Sequence, residues 1–329
     1  MKWSTTLSKK IEPHHDGIQF PIQSGKKTPS TTHTAKQILK AALQSVNSPY
    51  VLQLNNEKNW RKNYPIYFHE LVKTGIESVN NPLPIAQKGL DKAKELFTFN
   101  RAEQSHTLSD AMITIKDQPF EQFILKGKGD ATIEPWFIPY QGQKLQDDAL
   151  LQQIDLWEQQ KVIEPTHAKA LRLLNQHPEW FDLSNRTMVL FGAGSEAGPL
   201  SCLAKWRANI VAIDLPQPKI WEKITKVIEQ GNATLIAPQH TNANGTQQLG
   251  ANLLTQTPEI ANWLNSFEQS LDLAGIAYLD GEKHVRVSMA MISIMEQVSQ
   301  HKPDSSIMFM LTPTDIYAIP DRKSTRLNS

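Results

Sequence analysis

The sequence predicts an α/β protein, with a doubly wound parallel sheet over residues 186–320 preceded by a helical and mixed region over 35–185. Two observations carry this. After Asn185, five short apolar runs without polar alternation are each separated from the next by a stretch of helical periodicity. That texture belongs to parallel strands covered on both faces. Before Asn185, helical stripes dominate and β-favouring runs are few. The 329 residues are 40% hydrophobic and 20% charged, enough apolar material to bury a core in two domains.

Taken in order, residues 1–34 are rich in Ser, Thr, Lys and Pro and predict a flexible arm. The stretch TAKQILKAALQSV places Ile38, Ala41, Leu43 and Val46 on one stripe, and PIAQKGLDKAKELF does so with Ile85, Leu90 and Leu96. From Ala111 to Pro139, short β-favouring runs are broken by Pro and Gly. Helical periodicity returns at Asp147–Gln159 and Ala168–Leu174.

Beyond Asn185 the predicted strands are Thr187–Phe191, Ile210–Ile213, Ala233–Ala237, Gly275–Leu279 and Ile307–Leu311. The helices between them are expected at Glu196–Arg207, Lys219–Gln230, Pro258–Phe267 and Glu282–Gln300, with Gly231 as a C-terminal cap. Cys202, the only cysteine, falls among apolar residues of the first of these and is expected in the core. A lone cysteine rules out an intrachain disulfide and suits a reducing, cytoplasmic setting.

Charge and motifs exclude several classes. With 34 Lys plus Arg against 33 Asp plus Glu, nothing points to nucleic acid as the main partner. No apolar run reaches the roughly 18 residues that span a bilayer. The N-terminus lacks an apolar h-region, and Glu12, Asp16, Pro13 and Pro21 argue against a transit peptide. His69-Glu70-Leu71 has Lys73 where a zinc-protease helix needs its second histidine, so no metal site is expected. The last residues, DRKSTRLNS, resemble translated sequencing-adapter sequence. A non-native tail over 321–329 is therefore expected, with the native chain continuing past about Pro320.

The chemistry-bearing stretch is MVLFGAGSEAGPLSCLAKWRANIVAID, from Met188 to Asp214. Gly192 permits a sharp turn off the strand, and Gly194 leaves room for pyrophosphate oxygens. Ala197 or Gly198 permits close helix–sheet packing. Ser195 is expected to cap the helix and offer a hydroxyl to phosphate, with Glu196 in the same phosphate-binding turn. The helix N-terminus would face the anion. Asp214 ends the second strand 20 positions after Gly194, placed to accept from ribose hydroxyls and to repel a 2′-phosphate. NAD is therefore expected over NADP.

On these residues, 186–320 resembles the NAD(P)-binding Rossmann superfamily, closest in layout to short-chain dehydrogenase/reductases. The resemblance implies an NAD(P)-dependent oxidoreductase acting on a small or lipid-like substrate. That family's Tyr and Lys four residues on are missing: Tyr278 is followed at that spacing by Glu282, and Tyr317 by Asp321. Thr312 and Thr314 match the place of the family's substrate-holding hydroxyl, and His284 is a candidate proton donor. Two alternatives stand beside this reading. One is a non-catalytic nucleotide-binding sensor or scaffold. The other is an S-adenosylmethionine-dependent methyltransferase, which also uses an acid at the end of the second strand.

Overall fold

The computed structural model describes residues 16–102, 104–242, 244–310 and 316. The N-terminal half begins with β1 (Gly17–Gln19) and continues with four helices: α1 (Thr31–Leu43), α2 (Ser48–Asn56), α3 (Trp60–Glu77) and α4 (Pro82–Leu96). Then come β2 (Thr98–Arg101), β3 (Gln104–Thr107), α5 (Leu108–Thr114) and β4 (Glu121–Lys126). A hairpin of β5 (Ile138–Tyr140) and β6 (Gln143–Leu145) precedes α6 (Asp147–Gln159) and α7 (Pro165–Gln176). Both hairpin loop residues, Gln141 and Gly142, have positive φ, as a two-residue turn matched to strand twist requires.

The C-terminal half runs β7 (Thr187–Phe191), α8 (Leu200–Leu203), β8 (Asn209–Ile213), α9 (Pro218–Glu229), β9 (Thr234–Thr241) and β10 (Gln247–Leu249). It ends with α10 (Thr257–Asn265), β11 (Asp272–Gly275), α11 (Glu282–His301) and β12 (Ser306–Phe309).

The main sheet has the order β10-β9-β8-β7-β11-β12, with β4 also on β9. The pairs β9–β8, β8–β7, β7–β11 and β11–β12 are parallel, whereas β4 and β10 pair antiparallel with β9. The sheet is therefore mixed, not wholly parallel. Ile236 pairs with Val211 on one edge of β9 and with Ile124 on the other. Gln239 pairs with both Glu121 and Leu249, so β10 lies on β8's edge, beyond β8's own pairing. The sheet is not confined to residues after 185, because β4 supplies one of its strands.

Strand alternation divides the core between the two faces. Val189, Phe191, Val211, Ile213 and Leu273 pack with α10 and α11. Leu190, Ile210, Ala212, Leu235 and Ala237 pack with Leu200, Trp221, Ile224 and Ile228 of α8 and α9. Helices thus cover both faces. On the first of them Trp263, 1% exposed, sits among Phe120 and Phe267, and its burial contributes roughly 2–3 kcal/mol.

Several sequence expectations change. Ile18 and Phe20 are buried, and the Ile18 N–H donates to Leu254 O at 2.9 Å, so the described part of the expected arm is anchored. Residues 108–114 are helical, not extended, because the Thr107 side chain caps the Asp110 N–H and nucleates a turn. The helix expected at 196–207 shrinks to four residues, and Cys202 is exposed. The fourth strand, expected at 275–279, lies instead at Asp272–Gly275, so that only Gly275 is common to both and 276–279 is not strand. The fifth, expected to be buried, is half-exposed: Ile307, Met308 and Phe309 keep 49%, 47% and 39% of their surface. Gly231 has no positive φ and meets the chain at Ala204 rather than forming a left-handed cap.

Candidate functional site

The strand order reverses between β7 and β11. The chain moves outward on one side from β7 to β8 to β9, and on the other from β11 to β12. In open α/β sheets the crevice at the carboxyl ends of strands flanking such a reversal is where ligands bind. The turn after β7, the loop after β8 and the segment after β11 meet there.

Gly192 leaves β7 with φ +88°, and a Cβ on it would stand 2.7 Å from Ala277 Cα. The Phe191 carbonyl explains this closeness. It accepts from the N–H groups of Ile276 at 3.0 Å and Ala277 at 2.7 Å, which zips the segment after β11 against the turn. Gly194 answers a different demand. Its N–H donates to Asp214 Oδ2 at 2.8 Å, and a Cβ there would lie 3.1 Å from Ile220 Cγ2 and 3.2 Å from that same carboxylate oxygen. Gly198 packs its backbone on Ile276.

Asp214 is held rigidly. Its other oxygen accepts from the Leu215 N–H at 2.8 Å, and its main-chain carbonyl accepts from the Ala251 N–H at 2.8 Å. The loop behind it is braced by Gln248 Nε2 donating to Pro216 O at 2.7 Å and Trp221 Nε1 donating to Leu215 O at 3.0 Å. The tether from Ala251 and the brace from Gln248 come from β10 and the chain after it.

Most main-chain donors of the turn are already used. The N–H groups of Gly192 and Ala193 donate to Ile213 O at 2.8 and 3.4 Å, and that of Gly194 to Asp214. Ser195 N–H donates to Gly192 O at 3.0 Å, and Gly198 N–H to Ser195 O at 3.1 Å. The expectation that Ser195 caps a helix is corrected, since α8 begins at Leu200 with Pro199 at its N-cap. Glu196 lies exposed in the intervening turn. A helix of four residues presents no developed dipole at the turn.

On the far side of the crevice, His284 sits in the first turn of α11. The Leu279 N–H donates to His284 Nδ1 at 3.4 Å, which puts the proton of the neutral ring on Nε2. The Tyr278 ring lies 4.6 Å from the imidazole, centroid to centroid, with 57% of its residue surface exposed. The structure thus brings together Tyr278 and His284, which sequence spacing treated separately. Arg286, by contrast, turns inward: Nε donates to Ile18 O at 2.6 Å, with Glu282 beside it at 3.4 Å. It ties β1 to α11. Thr312 and Thr314 lie outside the described residues.

One residue was absent from the sequence reading. Lys223, in the second turn of α9, donates its ammonium to Gly194 O at 3.2 Å. Its only sequence signal is a position four after Lys219 on the polar face of an amphipathic helix. Among the described residues, no group of three or more His, Cys, Asp or Glu is placed to hold a metal ion, and no helix is long and apolar enough to cross a membrane. Comparisons with protein-family models, with curated proteins and with solved structures find no match to this chain.

Proposed function

We propose that this chain binds a nucleotide cofactor, NAD in preference to NADP, in the crevice formed by the carboxyl ends of β7, β8 and β11. On this reading it is a cytoplasmic NAD(P)-dependent oxidoreductase of a Rossmann-like, doubly wound type, acting on a small or lipid-like molecule. The observation that carries the proposal is the hydrogen bond from Gly194 N–H to Asp214. It joins a glycine turn to a carboxylate at the ends of neighbouring parallel strands, one strand from the order reversal.

The ribose end of such a cofactor fits these residues. Asp214 is partly exposed, and each carboxylate oxygen, having accepted one N–H, retains a lone pair for a ribose hydroxyl. The diphosphate end finds only part of the main-chain cradle that the sequence implied, because five N–H groups of the turn already have protein acceptors and those of Glu196 and Ala197 alone remain open. When bound, the nicotinamide would supply hydride chemistry. This chain's own part would be to hold the adenosine half at Asp214 and to offer His284 Nε2–H as a hydrogen-bond donor.

The shortage of open amides favours one competing reading, an S-adenosylmethionine-type ligand that carries adenosine without phosphate. Thermal denaturation with NAD, NADP and S-adenosylmethionine separates the two. A ligand at 100 times its Kd adds about 2.7 kcal/mol to stability. NAD is expected to raise Tm most. A shift with S-adenosylmethionine and none with NAD would sink the proposal.

A further inference from the structure

We infer that Lys223 receives the cofactor's phosphates, supplying the positive charge that a developed helix end commonly offers at glycine turns of this kind. The inference rests on the nucleotide-binding reading above. Five N–H groups of the turn, those of Gly192, Ala193, Gly194, Ser195 and Gly198, already have protein acceptors, and residue 199 is a proline. The helix that follows has four residues. The N–H groups of Glu196 and Ala197 have no protein acceptor and remain open to an anion, but they carry no full charge and no developed helix end stands behind them.

Lys223 is placed to supply it. Its ammonium touches Gly194 O at 3.2 Å, on the residue whose N–H is bonded to Asp214, so carboxylate and ammonium flank one peptide. The bond to Gly194 O uses one of three N–H donors. The remaining two, on an exposed side chain, are open to charge-assisted hydrogen bonds with an anion. The helix is fixed in position. Ile220 packs on Gly194, and Trp221 and Ile224 are buried beneath the helix. Lys223 therefore stands on a rigid platform one turn above that packing. Asp214 then selects the ribose, and Lys223 the diphosphate.

The test is titration of the full chain with NADH, ADP-ribose and adenosine, comparing wild type with Lys223→Gln and Lys223→Arg. Lys223 is exposed, so both variants should fold, and circular dichroism checks this. Wild type should bind NADH and ADP-ribose, and Lys223→Gln should weaken both about tenfold, the size of one hydrogen bond to a charged group. Lys223→Arg should recover most of the loss, and adenosine, which lacks phosphate, should bind all three proteins equally. Equal NADH binding by wild type and Lys223→Gln overturns the role of Lys223 and leaves the cofactor reading standing. An equal loss of adenosine binding overturns it as well, because the lysine would then act only by shaping the turn. If wild type binds neither NADH nor ADP-ribose, both readings fall.

Discussion

The carbonyl oxygen of Ala204 lies 2.0 Å from where a Cβ on Gly231 would stand. That carbonyl, at the end of α8, accepts from the N–H groups of Asn232 at 2.7 Å and Ala233 at 3.1 Å, and so stitches the end of α8 to the start of β9. Gly127 and Gly129 crowd the Gly231 carbonyl from the other side. Three glycines let three backbones meet where β4, α9 and the end of α8 converge.

Gly231→Ala should accordingly destabilise the protein by about 1–3 kcal/mol, the range for overpacking at a rigid site. Gly142→Ala is the control. It has φ +78° but nothing within 4 Å, so it should cost only the left-handed strain of about 1–2 kcal/mol. Urea denaturation of both variants measures the difference. A Gly231→Ala protein as stable as wild type would show that the Ala204 carbonyl yields to a methyl group at no cost.

The pair Arg101–Glu259 should respond asymmetrically. Arg101 donates to Glu259 and to Thr255 O, and its side chain is 32% exposed, whereas the Glu259 side chain is 6% exposed. Removing the arginine strands a carboxylate that cannot reach water. Arg101→Met should cost about 3 kcal/mol, Glu259→Met clearly less, and the double variant should regain part of the loss. Equal costs for the two single changes would contradict the burial seen here.

Asp214→Arg should weaken NADH binding at least tenfold, on the order of one charged hydrogen bond, and shift preference toward NADPH. Asp214→Ala should also lower stability by about 1–3 kcal/mol, because the N–H groups of Gly194 and Leu215 lose their acceptor. Titration with both nucleotides decides the matter. Unchanged affinity for both removes Asp214 from the site.

Alkaline stability should depend on Tyr50. Burial, the neighbouring Glu70 carboxylate and Tyr67 push its phenol up to about 12. Tyr67 shifts in the same direction, through burial and Glu57. A phenol raised in the folded state still holds its proton when the unfolded chain has lost it. The unfolded chain therefore binds fewer protons, and stability falls as pH rises from about 10, the ordinary tyrosine value, to about 12. Below that window the contribution is fully present. Stability curves for wild type and Tyr50→Phe should converge at neutral pH up to the loss of the phenol's bond to Ile66 O, with the variant declining less steeply above pH 10. Parallel declines would show that Tyr50 titrates normally.

Cys202 offers a simple check of the short α8. It is exposed, so a thiol reagent should label the native protein at nearly the rate seen after denaturation. Strong native-state protection would restore the longer helix that the sequence suggested.

What the sequence determined by itself was the parallel part of the sheet and its glycine turn. Runs such as Thr187–Phe191 and Asn209–Ile213 are apolar at every inward step, and such strands are stable only when both faces are covered. Gly192, Gly194 and Asp214 were legible for the same local reason: spacing from a strand end sets where a residue falls.

The tertiary structure decided the rest, because distant partners outweighed local preference. A search for apolar runs passes over the β11 start at Asp272, since a buried carboxylate looks misplaced. Its charge is met by Arg186, with Nε at 2.8 Å from one oxygen, and by Ser306 Oγ at 2.6 Å from the other. The helix expected at 196–207 ends early because the carbonyls of Ala204 and Trp206 are taken by Asn232, Ala233 and Leu183. The run at 121–126 gave no sign that it would join β9, more than 100 positions away. Lys223 could be recognised only once Gly194 stood beside it. Pairings across such separations depend on backbone groups common to every residue, so no local pattern announces them.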